Sequence, residues 1–297
     1  MRENIEISGQ TRLYGLFAHP AHHSLSPLMH NTSFNNREID ARYLAFDLQP
    51  ADLAQGVAAI RALDLGGVNL SMPFKQTIIP MLDEITPRAQ LLESVNVIKN
   101  SNGHLIGDSV DGEGFFANLI AEGVTVAQQA MVVLGAGGAG LSIIQAGIDH
   151  QLAEITVFKR RNPRFEQVAQ QLATMAKGRS TKVRLVDYDD VAQMTTVVAR
   201  STLIVNATNL GMGDYQAQMP APPGVLAQLN AHHVVCDVIY SPLETQFLSV
   251  AKQKGCQTFN GLGMLIYQGA LSFKFWTGQD MPVQLVRKTI QTQLNQQ

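Results

Sequence analysis

Residues 69–75 read Asn-Leu-Ser-Met-Pro-Phe-Lys, and the segment ends on a lysine that could do acid–base work. Asn69, Leu70, Ser71 and Met72 alternate as a strand with one polar face does. Pro73 then ends the ladder, because it has no amide proton to donate. Lys75 follows two residues later, at the mouth of whatever that strand points into. A lysine just past a strand end is commonly no more than a solvated charge. A chemical role requires an acid, an anion-binding loop and a cofactor site, and the chain offers a candidate for each.

The acid is Asp111, in the stretch GDSVDGEG (107–114). Glycines at 107, 112 and 114 flank it, so the expected structure is an irregular hinge with the carboxylate facing a cleft between two domains. An aspartate beside glycine is also a common turn residue, which is the plainer alternative. The anion-binding loop is Gly135-Ala136-Gly137-Gly138-Ala139-Gly140, which follows the apolar run AMVVL (130–134) and opens a helical run. In a GxGxxG turn of this kind Gly135 permits the tight turn, Gly137 lets backbone approach a pyrophosphate, and Gly140 allows close helix–strand packing. The anion would sit on amides at the helix start, where Gly138 lies.

The end of the next strand selects the cofactor. A site for NAD usually carries Asp or Glu there to hold the ribose diol, but this chain has Lys159, Arg160, Arg161 and Asn162, then Arg164. Cationic side chains pair with a 2′-phosphate that a carboxylate would repel. The expected cofactor is NADP, with NAD possible. Near the N-terminus, HHSLSP (22–27) places Ser24 and Ser26 on one side of what reads as an extended loop, two hydroxyl donors suited to a carboxylate. By itself such a stretch is equally a helix-capping sequence. His19, His22, His23 and His30 crowd the same region, yet their spacing without a carboxylate or cysteine partner argues against a metal. They read as loop and helix-start residues.

The elements that must position these groups alternate. Strand-like runs at 12–18, 41–48 and 66–72 are separated by helical runs at 26–39 and 50–63, a βαβαβ rhythm that implies a mostly parallel, buried sheet. Asp83 and Pro87 frame a short helix, and residues 94–109 read as a hairpin turning at Asn102-Gly103. A second alternating series starts near residue 130 and runs to 260, and the remaining tail is helical with no strand partner. The expected fold class is α/β in two domains. Residues 1–112, completed by C-terminal helices 263–297, form a mostly parallel three-layer substrate domain, and residues 113–262 form a Rossmann-type NADP-binding domain.

At 297 residues the chain suits two domains of ordinary size. A net charge of −2 leaves no concentrated basic face, which argues against nucleic acid as a partner. Only 15% of residues are charged, so part of the exterior can be buried between subunits, and monomer and homodimer both stay open. Cys236 and Cys256 belong to no CxxC pair and sit in short apolar runs, as buried reduced thiols do. The N-terminal stretch MRENIEISGQTRLYG has no apolar core, and no segment approaches the ~20 apolar residues of a membrane span. The expected location is cytoplasmic, with a small molecule as partner.

Taken together, HSLSP (23–27), GVNLSMPFK (67–75), the Val-Asn of SVNVIKN, GDSVDGEGF, VLGAGGAG (133–140), NATNLGM (206–212), DVIYSP (237–242) and GLGMLIYQGA (261–270) follow one family's order and spacing over nearly the whole chain. The sequence resembles the shikimate dehydrogenases, and more closely their quinate/shikimate dehydrogenase branch. The resemblance implies NADP-dependent reduction of 3-dehydroshikimate to shikimate. By that likeness Ser24 and Ser26 hold the substrate carboxylate with help from Tyr240, and Ser71, Asn96 and Gln268 bind ring hydroxyls. Lys75 and Asp111 form the acid/base pair, since a partly desolvated lysine beside an orienting carboxylate suits proton transfer. Thr208, Met212 and Gly263 would lie along the nicotinamide. The chain departs from the family pattern at Val97 and at Ser109-Val110, where Thr and Asn-Thr are usual, and Ser71 stands where threonine is common. Two further readings keep the fold: a paralogue acting on a related polyhydroxylated ring carboxylate, and a nucleotide-binding regulator without turnover.

Overall fold

The computed structural model describes residues 7–295, so the first six residues of the N-terminal stretch and the last two of the helical tail lie outside the described residues. The chain forms two compact units, one of residues up to Val110 together with those from Ile266 on, the other of Asp111–Leu265.

In the first unit the order is β1 (Arg12–Ala18), α1 (Ser26–Asn36), β2 (Ala41–Asp47), α2 (Leu53–Ala62), β3 (Gly67–Leu70), α3 (Phe74–Thr77), β4 (Glu84–Ile85), α4 (Pro87–Leu92), β5 (Val97–Ser101) and β6 (His104–Asp108). The sheet order is β2-β1-β3-β5-β6-β4. Strands β2, β1 and β3 are parallel, as the βαβαβ rhythm implies, and β5 runs antiparallel to both β3 and β6. The hairpin between β5 and β6 turns where expected, with Asn102 at φ 54° and Gly103 at φ 88°, the left-handed pair that a two-residue hairpin needs.

Several local expectations are corrected. Strand β3 stops at Leu70, because the Phe74 amide donates to the Ser71 carbonyl (2.9 Å) and curls the chain into α3, a one-turn helix that carries Lys75. Met72 is left 76% exposed, so no polar and apolar alternation continues past Leu70. The residues between Asp83 and Pro87 include a short strand, and the helix starts at Pro87, capped by the Thr86 hydroxyl accepting from the Ala89 amide (3.2 Å). Ser24 and Ser26 do not share an extended loop: Leu25 is helical at φ −83° and ψ −5°, and Ser26 is the first residue of α1.

The second unit continues with α5 (Asp111–Ala121), β7 (Ala130–Leu134), α6 (Gly138–Asp149), β8 (Glu154–Lys159), α7 (Phe165–Ala176), β9 (Lys182–Asp187), α8 (Val191–Arg200), β10 (Leu203–Asn206), α9 (Pro223–Leu226), β11 (Val234–Asp237), α10 (Gln246–Gln253) and β12 (Gln257–Phe259). All six strands are parallel, in the order β12-β11-β10-β7-β8-β9. From the β9 edge this is third, second, first, fourth, fifth, sixth, the doubly wound dinucleotide-binding order whose crevice opens at the strand C-termini between first and fourth. Helices α11 (Gly261–Thr277) and α12 (Val283–Leu294) close the chain.

Asp111 is not in an irregular segment. It is the first residue of the second unit and opens α5, and Gly112 and Gly114 are buried within that helix. A Cβ on Gly112 would lie 1.9 Å from the Ser142 carbonyl oxygen, so this glycine is there for the close approach of α5 to α6. The first core gathers Phe17, Val57, Val68, Phe74, Ile98 and Leu105, and the second Val132, Leu134, Phe158, Ile204, Val235 and Phe247. Each such side chain contributes about 1.5–3 kcal/mol on burial, enough to hold the strand ends that carry the polar groups. Cys236 and Cys256 are free and buried.

Candidate active site

In the first unit one end of the sheet collects most of the candidate residues. Parallel register pairs Phe17 of β1 with Leu70 of β3, so the segments leaving both strands emerge side by side. Antiparallel register pairs Asn69 with Val97 and Val97 with Asp108, so Asn96 enters β5 and Ser109-Val110 leave β6 at that same end. Backbone bonds fasten the segments together. The Ser71 amide donates to the Phe17 carbonyl (3.0 Å), Leu70 to Asn96 (2.9 Å), Asn96 to Asp108 (2.9 Å) and Val95 to Lys75 (2.8 Å). The structure thereby brings Ser71, Lys75, Asn96 and Val110 to one sheet edge. Lys75 is half-buried on α3, and Asn96 is buried.

Ser24 and Ser26 sit in the turn after β1, where Ser24 Oγ accepts from the Ser26 amide at 3.1 Å. The N-cap position of α1 is Leu25 and no side chain caps the helix, so the capping reading of this stretch is not what the structure shows. Asn96 Oδ1 accepts from the Val110 amide (2.8 Å), which ties the Asn side chain to the departing strand. Asp108, one pair earlier, accepts from the Thr86 hydroxyl (2.6 Å), from the Ser109 amide (2.7 Å) and from Arg88 Nη2 (2.5 Å). This buried carboxylate holds the end of β6, a task the sequence did not signal.

His30 is neither a loop nor a helix-start residue. It is fully buried within α1, stacked on Tyr43 at 4.5 Å between ring centroids. Burial outweighs a contact with Asn69 and pulls its pKa down to about 3, so the ring is neutral. His19 Nδ1 meets Asp47 Oδ1 at 2.6 Å on the surface, and hydrogen bonds from His19 and the Ala21 amide lower the Asp47 pKa. Among the described residues no group of His, Cys, Asp or Glu could hold a metal ion.

In the second unit the candidate cofactor residues lie at the C-terminal ends of the strands. Gly135 has φ +100°, a conformation that favours glycine, and a Cβ there would also meet Thr208 Cγ2 at 2.8 Å. A Cβ on Gly140 would strike the Gly135 carbonyl oxygen at 2.4 Å, which is the close helix–strand approach expected. A Cβ on Gly137 or Gly138 would meet nothing within 4 Å. Protein packing gives these two glycines no reason to lack a side chain, whereas a pyrophosphate against the N-terminus of α6 does. The residues present fit a dinucleotide.

Lys159 ends β8 and Arg160 and Arg161 are exposed just beyond it. Desolvation and the neighbouring Arg164 and Arg160 lower the Lys159 pKa. The sequence shows no acid at this strand end, but the fold supplies one: β9 register sets Asp187 opposite Lys159, and Asp187 Oδ2 accepts from Arg161 Nε at 2.8 Å. Arg161 also lies over the Phe165 ring, 4.9 Å from its centroid.

The loop after β10 and the turn after β11 share one buried carboxylate. Asp237 Oδ1 accepts from Asn206 Nδ2 (3.1 Å) and from the Ile239 amide (3.1 Å), while Oδ2 accepts from the Thr245 hydroxyl (2.8 Å). Asn206 in turn donates to the Leu210 carbonyl (3.0 Å) and accepts from the Thr208 hydroxyl (2.7 Å). Burial raises the Asp237 pKa against these bonds. Asp237 thus joins Thr208 on one loop to the turn that leads to Tyr240, whose phenol pKa burial also raises. Asp237→Asn is expected to destabilise the unit by about 1–3 kcal/mol, because the amide cannot accept from all three donors. Urea unfolding of the variant and wild type checks this. Met212 is 44% exposed, and a Cβ on Gly263 would lie 2.2 Å from Asn118 Cγ, so close packing already requires that glycine.

Residues 16–98 match the family model described as the shikimate dehydrogenase substrate binding domain, and residues 261–291 match the shikimate 5'-dehydrogenase C-terminal domain. The chain is 43% identical to the shikimate dehydrogenase (NADP(+)) of Latilactobacillus sakei subsp. sakei (strain 23K), over 93% of this chain and 94% of that protein. It superposes with a TM-score of 0.91 on shikimate 5-dehydrogenase from Listeria monocytogenes in complex with shikimate and NAD, at 36% identity over 96% of this chain and 98% of the other. It also resembles quinate dehydrogenase from Corynebacterium glutamicum in complex with NAD, with a TM-score of 0.84 and 28% identity over 95% of this chain and 99% of the other.

Proposed function

The chain belongs to the shikimate dehydrogenase family, and on that premise we propose that it is an NADP-dependent oxidoreductase interconverting 3-dehydroshikimate and shikimate. Quinate is a second candidate substrate, in line with the structural neighbour named quinate dehydrogenase, and NAD a second candidate cofactor, in line with the NAD named as bound in two structural neighbours.

Ser24 and Ser26, with Tyr240, hold the ring carboxylate. Ser71, Asn96 and Gln268 hydrogen-bond ring hydroxyls and so set which hydroxyl-bearing carbon is presented. Amides at Gly137 and Gly138 hold the pyrophosphate, while Lys159, Arg160 and Arg161 hold a 2′-phosphate. Thr208, Met212 and Gly263 lie along the nicotinamide. When bound, the cofactor supplies or accepts the hydride. Lys75 Nζ takes the proton from the substrate hydroxyl in oxidation and returns it in reduction, with Asp111 as the other member of the acid/base pair.

The observation that carries this reading is the shared sheet edge in the first unit. Strand register alone brings a hydroxyl (Ser71), an amide (Asn96) and a cation (Lys75) to one place, on segments tied to one another by backbone bonds. Val97 and Val110 are buried at that edge without a hydroxyl, so the ring substituents accepted there are an experimental matter. Initial rates of oxidation of shikimate and of quinate, each with NADP and with NAD, test the reading. The expected order places shikimate with NADP first. No turnover of either compound alongside tight NADP binding would favour the regulator.

A further inference from the structure

Behind the sheet edge of the first unit, buried polar side chains join around a single amide, that of Asn69 in the middle of the sheet. Asn69 Nδ2 lies 3.2 Å from the Asn96 carbonyl oxygen and 2.9 Å from Ser272 Oγ, and Oδ1 lies 2.9 Å from the Tyr43 hydroxyl. Asn69 is 5% exposed, and Tyr43 and Ser272 are fully buried. A backbone carbonyl can only accept, so the Asn96 carbonyl decides which end of the Asn69 amide is nitrogen. Oδ1 therefore faces Tyr43, and the phenol must give its one proton to it. On the other side Ser272 accepts from Asn69 and passes its own proton to the Gln268 carbonyl at 2.9 Å.

Each proton in this row has one direction, and the row ends on the backbone carbonyls of two residues read above as substrate contacts, Asn96 and Gln268. Its surroundings supply no competing charge. The neutral ring of His30 stacks on Tyr43, and Trp276 closes the cluster with Nε1 donating to the Ile98 carbonyl at 2.9 Å. Neither Asp nor Leu replaces this amide. A carboxylate would oppose the Asn96 carbonyl with a second acceptor, and an alkyl group would take away the acceptor of the Tyr43 proton and leave the Asn96 carbonyl with the Leu70 amide alone.

We propose that Asn69 is the positioning residue of the substrate site, fixing the Asn96 segment directly and the Gln268 turn of α11 through Ser272. The proposal rests on the reading of Asn96 and Gln268 as substrate contacts. Its test compares wild type, Asn69→Asp and Ser272→Ala by steady-state kinetics with shikimate and NADP, with the folded fraction measured by circular dichroism. Asn69→Asp is expected to raise the KM for shikimate about tenfold or more while the KM for NADP stays at the wild-type value. Ser272→Ala breaks one arm of the row and should raise the shikimate KM several-fold, which keeps the test decisive if Asn69→Asp does not fold. A shikimate KM equal to wild type in the folded variants, with only the amount of active enzyme reduced, would mean that Asn69 merely holds the core, and would overturn the proposal alone. A wild-type enzyme inactive on shikimate would overturn the site reading and the proposal with it.

Discussion

Lys75→Ala is expected to lower kcat by about 10²–10⁴-fold while KM for shikimate and for NADP stays within a few-fold. Lys75 contributes its carbonyl, not its ammonium, to the bond from the Val95 amide (2.8 Å), and the turn is anchored by Phe74, which is 1% exposed. Alanine keeps both and removes the proton carrier. A group that acts on the proton in the transition state shows its loss in kcat, whereas one that only binds shows it in KM. A kcat within a few-fold of wild type would return Lys75 to the status of a solvated charge. Asp111→Asn provides the companion measurement, with a loss in kcat of the same kind if the carboxylate orients the lysine.

Neutralising Arg160 and Arg161 together is expected to weaken NADP about ten- to a hundred-fold and to leave NAD within about twofold. A charge-assisted contact to phosphate contributes about 1.5–3 kcal/mol, and only NADP has the 2′-phosphate to receive it. The expected loss is that of about one such contact and not two, because the Arg161 side chain is 69% exposed and already engages Asp187 at 2.8 Å. Binding a phosphate therefore exchanges one partner for another at Arg161 and adds a partner at Arg160. Titration of each cofactor into wild type and double variant reads the ratio directly. An equal loss for NADP and NAD would locate the two arginines away from the ribose, or would report a folding defect.

What the sequence determined by itself was the set of elements and the chemistry each could carry, because these depend on near neighbours. Strand β7, the glycine turn after it and α6 are legible from an apolar run, a glycine spacing and a helical run that together span twenty residues. The hairpin at Asn102-Gly103 is legible because two left-handed residues in a row need Asn and Gly. The cationic end of β8 is legible for the same reason. Where specific contacts outweighed periodicity, local reading failed: the Ser71 carbonyl accepting from Phe74 ends β3 early, and helix α5 replaces the irregular segment at Asp111, with Gly112 serving its contact with α6. Only the tertiary structure decided which residues face each other across long separations. Asp187 stands beside Arg161, Asp237 joins the Asn206 loop to the Ile239 turn, and Asn69 meets Tyr43, Asn96 and Ser272. In the sequence each is one polar residue in an apolar strand or at its end. Strand register and the packing of α11 bring their partners from as far as 203 positions along the chain, and burial then requires those polar atoms to be satisfied by one another.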